Sequence, residues 1–378
     1  MKQNKQLQVW YEEQKVGTLA VTSDKRVAFE YDDIWLENGF SISPFSLPLK
    51  KQVFVPTKLY FHGLFGVFAD SLPDAWGNIL LNRMLKEKSI RVDEINMLDR
   101  LAIIGNAGMG ALSYRPEMTL ATKESALELD YLAAECKKIL SSEYTQELDE
   151  LYRLGGTSGG ARPKILTNIN GEEWMIKFPA HVDGMDVGKM EYDYSICARK
   201  CGITMSETHL FPSKVCKGYF GTKRFDRYIL NGKSQKVHML TAAALLELDF
   251  EQPSLDYHSL MKLTKILTRD NKQDVEEMFR RMCFNVFAHN RDDHSKNFTF
   301  LYKEKERQWR LSPAYDLTYS NTYYGEHTTT IDGNGKTPGK KELLAVGMTA
   351  GMKKAECERI IMEIQTLVKE DLGDKYGC

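Results

Sequence analysis

Apolar and polar positions change rhythm along the chain. Near the start, short alternating runs predict strands at Leu7–Tyr11 and Thr18–Val21, with a turn expected through Lys15 to Gly17. Two amphipathic helices are predicted next. One covers about Ser71–Lys86, with Pro73 near its start and Leu80, Leu81, Met84 and Leu85 on one face. The other covers about Asp93–Ile104 and stops at Gly105. A helix rich in Ala, Leu and Glu is expected over 123–140, followed by a polar connector. Strand patterning returns at Lys164–Leu166 and Trp174–Phe178. Between them Asn170-Gly171 signals a hairpin, whose polar flanks suggest a loop of more than two residues. A helix at about Asp186–Lys200 ends at Gly202, and strand-like runs follow at Glu207–Phe211 and Tyr219–Phe225. After these runs helical spacing dominates, at 240–248, 254–268, 272–288 and 353–369. In the third of these, Val275, Met278, Phe279, Met282 and Val286 form a stripe that reads as a core face.

The order of elements predicts an α+β protein, with a β-containing region ending in a hairpin and a helical region after it. At 378 residues the chain exceeds what one hydrophobic core usually serves. Boundaries are expected at 1–115, 116–228 and 229–378. Composition changes little, since 42% apolar and 27% charged residues are ordinary for a globular protein. A formal net charge of −1 argues against a chain that grips a nucleic-acid backbone alone, so DNA would be reached through a partner. No apolar run approaches the ~20 residues that span a bilayer, and the start MKQNKQLQVW does not read as a signal peptide. The seven cysteines include no C-x-x-C pair. Cys197 and Cys201 could share a helix face, but no histidine completes a zinc set, and reduced thiols in the cytoplasm are expected.

Three features in sequence order carry chemistry. Leu154-Gly155-Gly156-Thr157-Ser158-Gly159-Gly160 is a loop whose glycines expose amide groups to phosphate oxygens, although it lacks the G-x-x-x-x-G-K-[ST] pattern. Alone, it could be a surface loop. Lys177, inside the apolar run Trp174–Pro179, must snorkel or meet an anion. A kinase uses such a strand lysine for nucleotide phosphates and pairs it with a helix glutamate, for which Glu191 is the candidate and Asp193 the competitor. The most specific feature is His289–Phe298, where Asp292 and Asn297 have the Asp-x4-Asn spacing of a kinase catalytic loop. Asp316 follows an apolar run 19 residues later. Asp292 would accept the proton of an incoming hydroxyl, and Asn297 and Asp316 would hold magnesium through hard oxygens. His294 would brace the loop and Lys296 would sit near the phosphates. A metal hydrolase using His289, Asp292, Asp293 and His294 lacks further ligands at a known spacing. A Ser-His-Asp hydrolase lacks the G-x-S-x-G elbow.

With these residues in view, the chain resembles the HipA-type serine/threonine kinases, toxin halves of bacterial toxin–antitoxin pairs. Asp292–Phe298 is similar to the D-x-H-x-K-N-F signature and Leu311–Asp316 to the L-[TS]-P-x-Y-D metal motif. Gly159-Gly160-Ala161-Arg162-Pro163-Lys164 resembles the G-A-x-x-K loop, Met175–Pro179 the I-K-[LF]-P strand, and Lys223–Arg227 the R-F-D-R segment. Phe45–Leu49 and Phe68–Asp74 are similar to the S-L-P-L and F-x-x-L-L-P-D motifs of the N-terminal subdomain.

The resemblance implies a two-lobed protein-kinase-like fold: a mixed α/β N-terminal lobe with an extra N-terminal subdomain, and an all-helical C-terminal lobe. It implies ATP and Mg2+ as cofactors, with Gly159, Gly160, Ala161, Lys164, Lys177, Lys223 and Asn297 at the nucleotide and adenine near Phe225. It also implies a small helix-turn-helix antitoxin of HipB type that binds operator DNA. The protein substrate would be a translation component such as an aminoacyl-tRNA synthetase. Autophosphorylation is expected in the glycine loop, at Thr157 by its offset from Gly160 or at Ser158 beside it. The alternatives are a small-molecule phosphotransferase and a largely non-catalytic partner of a DNA-binding repressor.

Overall fold

Five antiparallel strands satisfy the alternation at the start of the chain: β1 (Gln6–Tyr11), β2 (Gln14–Val21), β3 (Val27–Tyr31), β4 (Val53–Phe54) and β5 (Leu112–Arg115). Their order is β4-β3-β2-β1-β5. This is a computed structural model, and it describes residues 3–121, 128–180, 183–249, 252–322 and 324–378. The turn between β1 and β2 lies at Glu12-Glu13, earlier than expected, and Gly17 sits inside β2. A Cβ there would fall 2.2 Å from Glu30 O and against the Phe29 ring. That glycine therefore serves close strand approach, not a turn.

Two units divide the chain. The first comprises Met1–Gly188, Phe211–Leu240 and Ala244–Glu247, and the second comprises Lys189–Leu210, Thr241–Ala243 and Leu248–Cys378. In the first, α1 (Asp33–Asn38) and α2 (Gly66–Ala69) precede α3 (Ala75–Glu87) and α4 (Met97–Ile104). Helix α3 begins after Pro73 and Asp74, buries Leu80, Leu81, Met84 and Leu85 as its stripe predicts, and buries Trp76 as well. Helix α4 starts later than expected because Asn96 and Asp99 form a capping box that fixes its first turn. Helix α5 (Leu129–Leu140) supplies the part of the expected 123–140 helix that lies within the described residues. The expected polar connector contains α6 (Leu148–Gly155), whose Leu148, Leu151, Tyr152 and Leu154 join the same core as α3.

Strands β6 (Lys164–Ile169) and β7 (Glu172–Lys177) pair from Ile169↔Glu172 to Lys164↔Lys177. Their loop is therefore the two residues Asn170-Gly171, both at positive φ, as a type I′ turn requires. The longer loop expected from the polar flanks is corrected, because two left-handed residues match the twist of the strands. Helix α7 (Val187–Lys200) and β8 (Thr208–Phe211) lead to β9 (Tyr219–Lys223), which pairs with β7. A solvent-facing hairpin follows, β10 (Arg227–Leu230) with β11 (Lys233–Lys236).

The chain continues through β12 (Met239–Thr241) and α8 (Ala242–Leu246), so the helix expected over 240–248 opens as a strand. The second unit is built on α9 (Tyr257–Leu267) and α10 (Lys272–Phe287). The stripe Val275, Met278, Phe279, Met282 and Val286 is buried. Full burial of such side chains contributes roughly 1.5–3 kcal/mol each. A hairpin of β13 (Thr299–Lys303) and β14 (Gln308–Leu311) is inserted among the helices, so this unit is mostly rather than wholly helical. The run Thr299–Tyr302 is buried throughout and rich in β-formers, which favours strand over helix. Helices α11 (Lys340–Thr349) and α12 (Lys354–Val368) pack on α10. Gly347 permits the approach, since a Cβ there would meet Phe279 and Cys357 Sγ at 2.6 Å. Among the described residues, no helix is long and apolar enough to cross a membrane.

Candidate active site

In the first unit, the glycine loop follows α6 directly and returns into β6. Ser158 is fully buried and its hydroxyl donates to Gly155 O at 2.7 Å, while Thr157 is 9% exposed. Gly160 lies at φ +83, where a side chain would be strained. The loop is seated against the start of α3. Gly160 N–H donates to Asp74 Oδ2 at 2.8 Å, and Trp76 N–H donates to Gly160 O at 3.2 Å.

Lys164 and Lys177 stand directly opposite each other across β6 and β7. Like charges in such a pair oppose each other unless an anion lies between or beside them. Lys164 is buried and donates to Gly159 O at 2.6 Å. Lys177 Nζ lies 5.7 Å from the centre of the buried Phe220 ring. Lys223 pairs with Glu172, and Phe225 is half-buried in the turn between β9 and β10. Next to it, Asp226 is fully buried and accepts from Arg224, Arg227 and the Gly110 amide. Burial alone would raise its carboxyl pKa, but the two guanidiniums outweigh this and hold it well below the carboxylate range. Burial brings Arg227 down to about 10. The R-F-D-R segment is thus a charged brace that ties residues 224–227 to 108–110.

Glu191 belongs to the second unit and is buried on α7. Its competitor Asp193 is engaged by Lys189 at 2.5 Å and by the Tyr376 hydroxyl at 2.9 Å. The loop 289–298 leaves α10 at Ala288, the residue that caps it. Asn290 pairs with Ser320 in a parallel bridge, with Arg291 N–H donating to Ser320 O and Ser320 N–H to His289 O. Asn290 Nδ2 also donates to Asn285 Oδ1 at 3.0 Å and to Asp316 O at 3.4 Å. The Tyr315 hydroxyl donates to Lys296 O at 2.5 Å. These bonds bring Asp316 alongside the loop from both sides. Asp316 itself sits at φ +53, a left-handed conformation that costs on the order of 1 kcal/mol and concentrates at functional sites.

Asp292 is exposed, and its backbone oxygen accepts from Asn297 Nδ2 at 2.8 Å. That bond uses a donor of the amide and leaves Oδ1 as its acceptor atom. One carboxylate and one amide oxygen, Asp316 and Asn297, belong to the hard-donor class that magnesium takes. Among the described residues there is no cluster of three His, Cys, Asp or Glu side chains able to hold a metal. His294 is half-buried, with Nδ1 enclosed and without a hydrogen-bond partner among the described residues.

The immediate neighbour of Asp292 carries much of the bracing. Asp293 is 1% exposed. Its Oδ2 accepts from the Tyr257 hydroxyl at 3.0 Å and lies 3.1 Å from His327 Nδ1, and its Oδ1 accepts from Thr329 N–H at 3.1 Å. Tyr257 receives Asn285 Nδ2 in turn, at 2.9 Å. Burial first, and then the Asp293 charge, push the Tyr257 phenol far above its ordinary value. Sequence reading considered Asp293 only as a metal ligand and missed Tyr257, His327 and Thr329. The one signal available was a second aspartate beside Asp292, since a charge so placed needs buried donors.

Comparison with known proteins bears on the family and the fold. Residues 7–115 match the HipA N-terminal domain and residues 156–371 the HipA-like C-terminal domain. A curated Sinorhizobium fredii protein named "Putative kinase Y4dM" is 27% identical over 176 residues, which are 43% of this chain and 41% of that protein. The match thus spans about two fifths of that relative's length. A solved chain from the Shewanella oneidensis MR-1 toxin–antitoxin complex of HipA, HipB and operator DNA superposes with a TM-score of 0.73. It is 17% identical, and the overlay covers 97% of this chain and 90% of that one. Such identity speaks for the fold alone, and the fold is that of HipA. The two domain matches together cover most of the sequence: the chain belongs to the HipA family.

Proposed function

We propose that the chain is an ATP- and magnesium-dependent serine/threonine protein kinase. The observation that carries this reading is the second unit's arrangement. Asp292 is exposed on a loop whose next residue is pinned in the interior, with Asn297 and Asp316 bonded into the same loop system. Asp292 orients the acceptor hydroxyl and takes its proton as the new O–P bond forms and the bond to ADP breaks. Asn297 and Asp316 would hold magnesium, which supplies neutralisation of phosphate charge. Lys177 and the glycine-loop amides would take phosphate oxygens, Glu191 would pair with Lys177, and Lys296 would lie near the transferred group. Phe225 would border the adenine, with Ala161, Lys164 and Lys223 around the nucleotide.

Autophosphorylation at Thr157 or Ser158 needs the loop to leave its seat first, because Ser158 is fully buried and Thr157 nearly so. The added ~−1.5 to −2 charges would then repel ATP phosphates. The Shewanella complex supports a HipB-like helix-turn-helix partner, and the net charge of −1 supports DNA contact through that partner. The substrate would be a translation-related protein, with an aminoacyl-tRNA synthetase as the first candidate, in the cytoplasm. Incubation with labelled ATP and magnesium, followed by mass-spectrometric mapping, tests the reading. Phosphate is expected on Thr157 or Ser158 and on a host protein. Label confined to a small molecule would make the chain a small-molecule phosphotransferase, and no label anywhere would end the kinase reading.

A further inference from the structure

Asp74 stands at the N-cap position of α3, where an aspartate ordinarily accepts an amide hydrogen from its own helix. It makes no such cap bond. Its Oδ2 accepts the Gly160 N–H at 2.8 Å instead. The other end of the same peptide unit, Gly159 O, accepts from Lys164 Nζ at 2.6 Å. One peptide is therefore held with its carbonyl toward a cation and its amide toward an anion, which is the orientation both charges favour.

The surroundings extend this grip. The Trp76 indole N–H donates to Lys164 O at 3.1 Å, tying the β6 end of the loop to α3. Space around the loop is tight as well. A Cβ on Gly159 would lie 3.2 Å from Asp74 Oδ2, and one on Gly155 would lie 2.6 Å from Lys164 O. Gly77 clears the opposite side, where a Cβ would lie 2.7 Å from Gly156 O. Asp74 and Gly77 thus belong to the wall against which the loop is seated.

We propose that Asp74 is a positioning residue for the glycine loop. With Lys164 it fixes the Gly159–Gly160 peptide, and so sets both how the loop presents its amides to nucleotide phosphates and how deeply Thr157 and Ser158 are buried. The nucleotide half of this inference rests on the kinase reading, and the loop half does not. Asp74 acts on ATP in two opposed ways. It orders the loop, yet it occupies one amide and places a negative charge beside a site for phosphates. Asparagine separates the two effects, because its side-chain oxygen can still accept from Gly160 while the charge is gone.

The test is hydrogen–deuterium exchange across residues 157–160 in the full chain without nucleotide, together with kcat and KM for ATP. A charge-assisted hydrogen bond of this kind corresponds to about tenfold or more in the opening equilibrium. Asp74→Ala is expected to raise exchange in this segment at least ~10-fold and KM by about as much, with kcat within ~3-fold. Asp74→Asn is expected to restore exchange to within ~3-fold of the parent, with KM no higher than the parent value. Unchanged exchange in Asp74→Ala, or a fall in kcat with KM unmoved, would overturn the proposal. If the parent chain bound no ATP, the kinase reading would fail, and the exchange comparison would still decide whether Asp74 clamps the loop.

Discussion

In the first unit the glycine loop is held through its backbone. Asp74, Lys164 and Trp76 each bond to main-chain atoms of Gly159 or Gly160. In the second unit the 289–298 loop is held largely through side chains, with Asp293 sunk among Tyr257, His327 and Thr329 and Asn290 bonded to Asn285. A peptide held by a few bonds is released at the cost of those bonds, here one to Asp74 and one from Lys164. A buried carboxylate cannot leave its donors without stranding all of them. One loop is held by bonds to its main chain and the other by a buried carboxylate, and the exposed Asp292 stands next to that buried anchor.

The sharpest way to break that contrast is Asp293→Ala. It leaves the Tyr257, His327 and Thr329 donors without their acceptor, and should cost about 3–5 kcal/mol of stability. Urea unfolding followed by tyrosine fluorescence would measure it, and a loss below ~1 kcal/mol would mean that the loop is braced elsewhere.

Acid should act on the first unit through a buried histidine. His238 lies in the first unit, fully buried, with Nε2 2.8 Å from Ile42 O, and burial brings it down to about 4 from an ordinary 6.5. Between these values the unfolded chain binds a proton that the folded chain refuses, so stability falls as pH drops through this window. The loss should approach roughly 3 kcal/mol at the lower end. His238→Asn should flatten that part of the pH–stability curve, and an unaltered slope would assign the acid sensitivity to another group.

The smallest effect comes from a pair of glycines. Gly160 and Gly171 are both at positive φ, and alanine at either should cost on the order of 1 kcal/mol. A Cβ at Gly171 meets nothing within 4 Å, whereas one at Gly160 meets Lys164 Nζ at 2.5 Å. Gly160→Ala should therefore raise KM for ATP while Gly171→Ala leaves it alone. Equal effects would erase the distinction between loop and turn.

The same contrast explains what could be read from the residues alone. The glycine loop, Lys177 and the Asp292–Asn297 spacing are local signals, each within a few positions of itself. The α3 stripe and the 272–288 stripe were legible because 3.6-residue periodicity survives packing. Tyr257 and His327 reach Asp293 from more than 30 positions away on either side and leave no mark near it. Helix α6 was hidden because its eight residues are too few for the pattern to emerge from polar flanks. The β1–β2 turn was misplaced because Gly17 looks like a turn residue, and only the Glu30 backbone beside it shows its use. The start of α4 was misjudged because Asn96 works as a cap only when Asp99 answers it.

The claim on which everything else depends is that Asp292 performs chemistry and does little for the fold. Phosphate transfer from labelled ATP by the parent chain and by Asp292→Asn, read beside their melting temperatures, tests it most directly. A general base of this kind is worth about 10²–10⁴ in rate. The expected result is a loss of that size with a melting temperature within about 2 °C of the parent, since Asp292 is exposed. Phosphorylation that survives unchanged in Asp292→Asn would contradict the assignment.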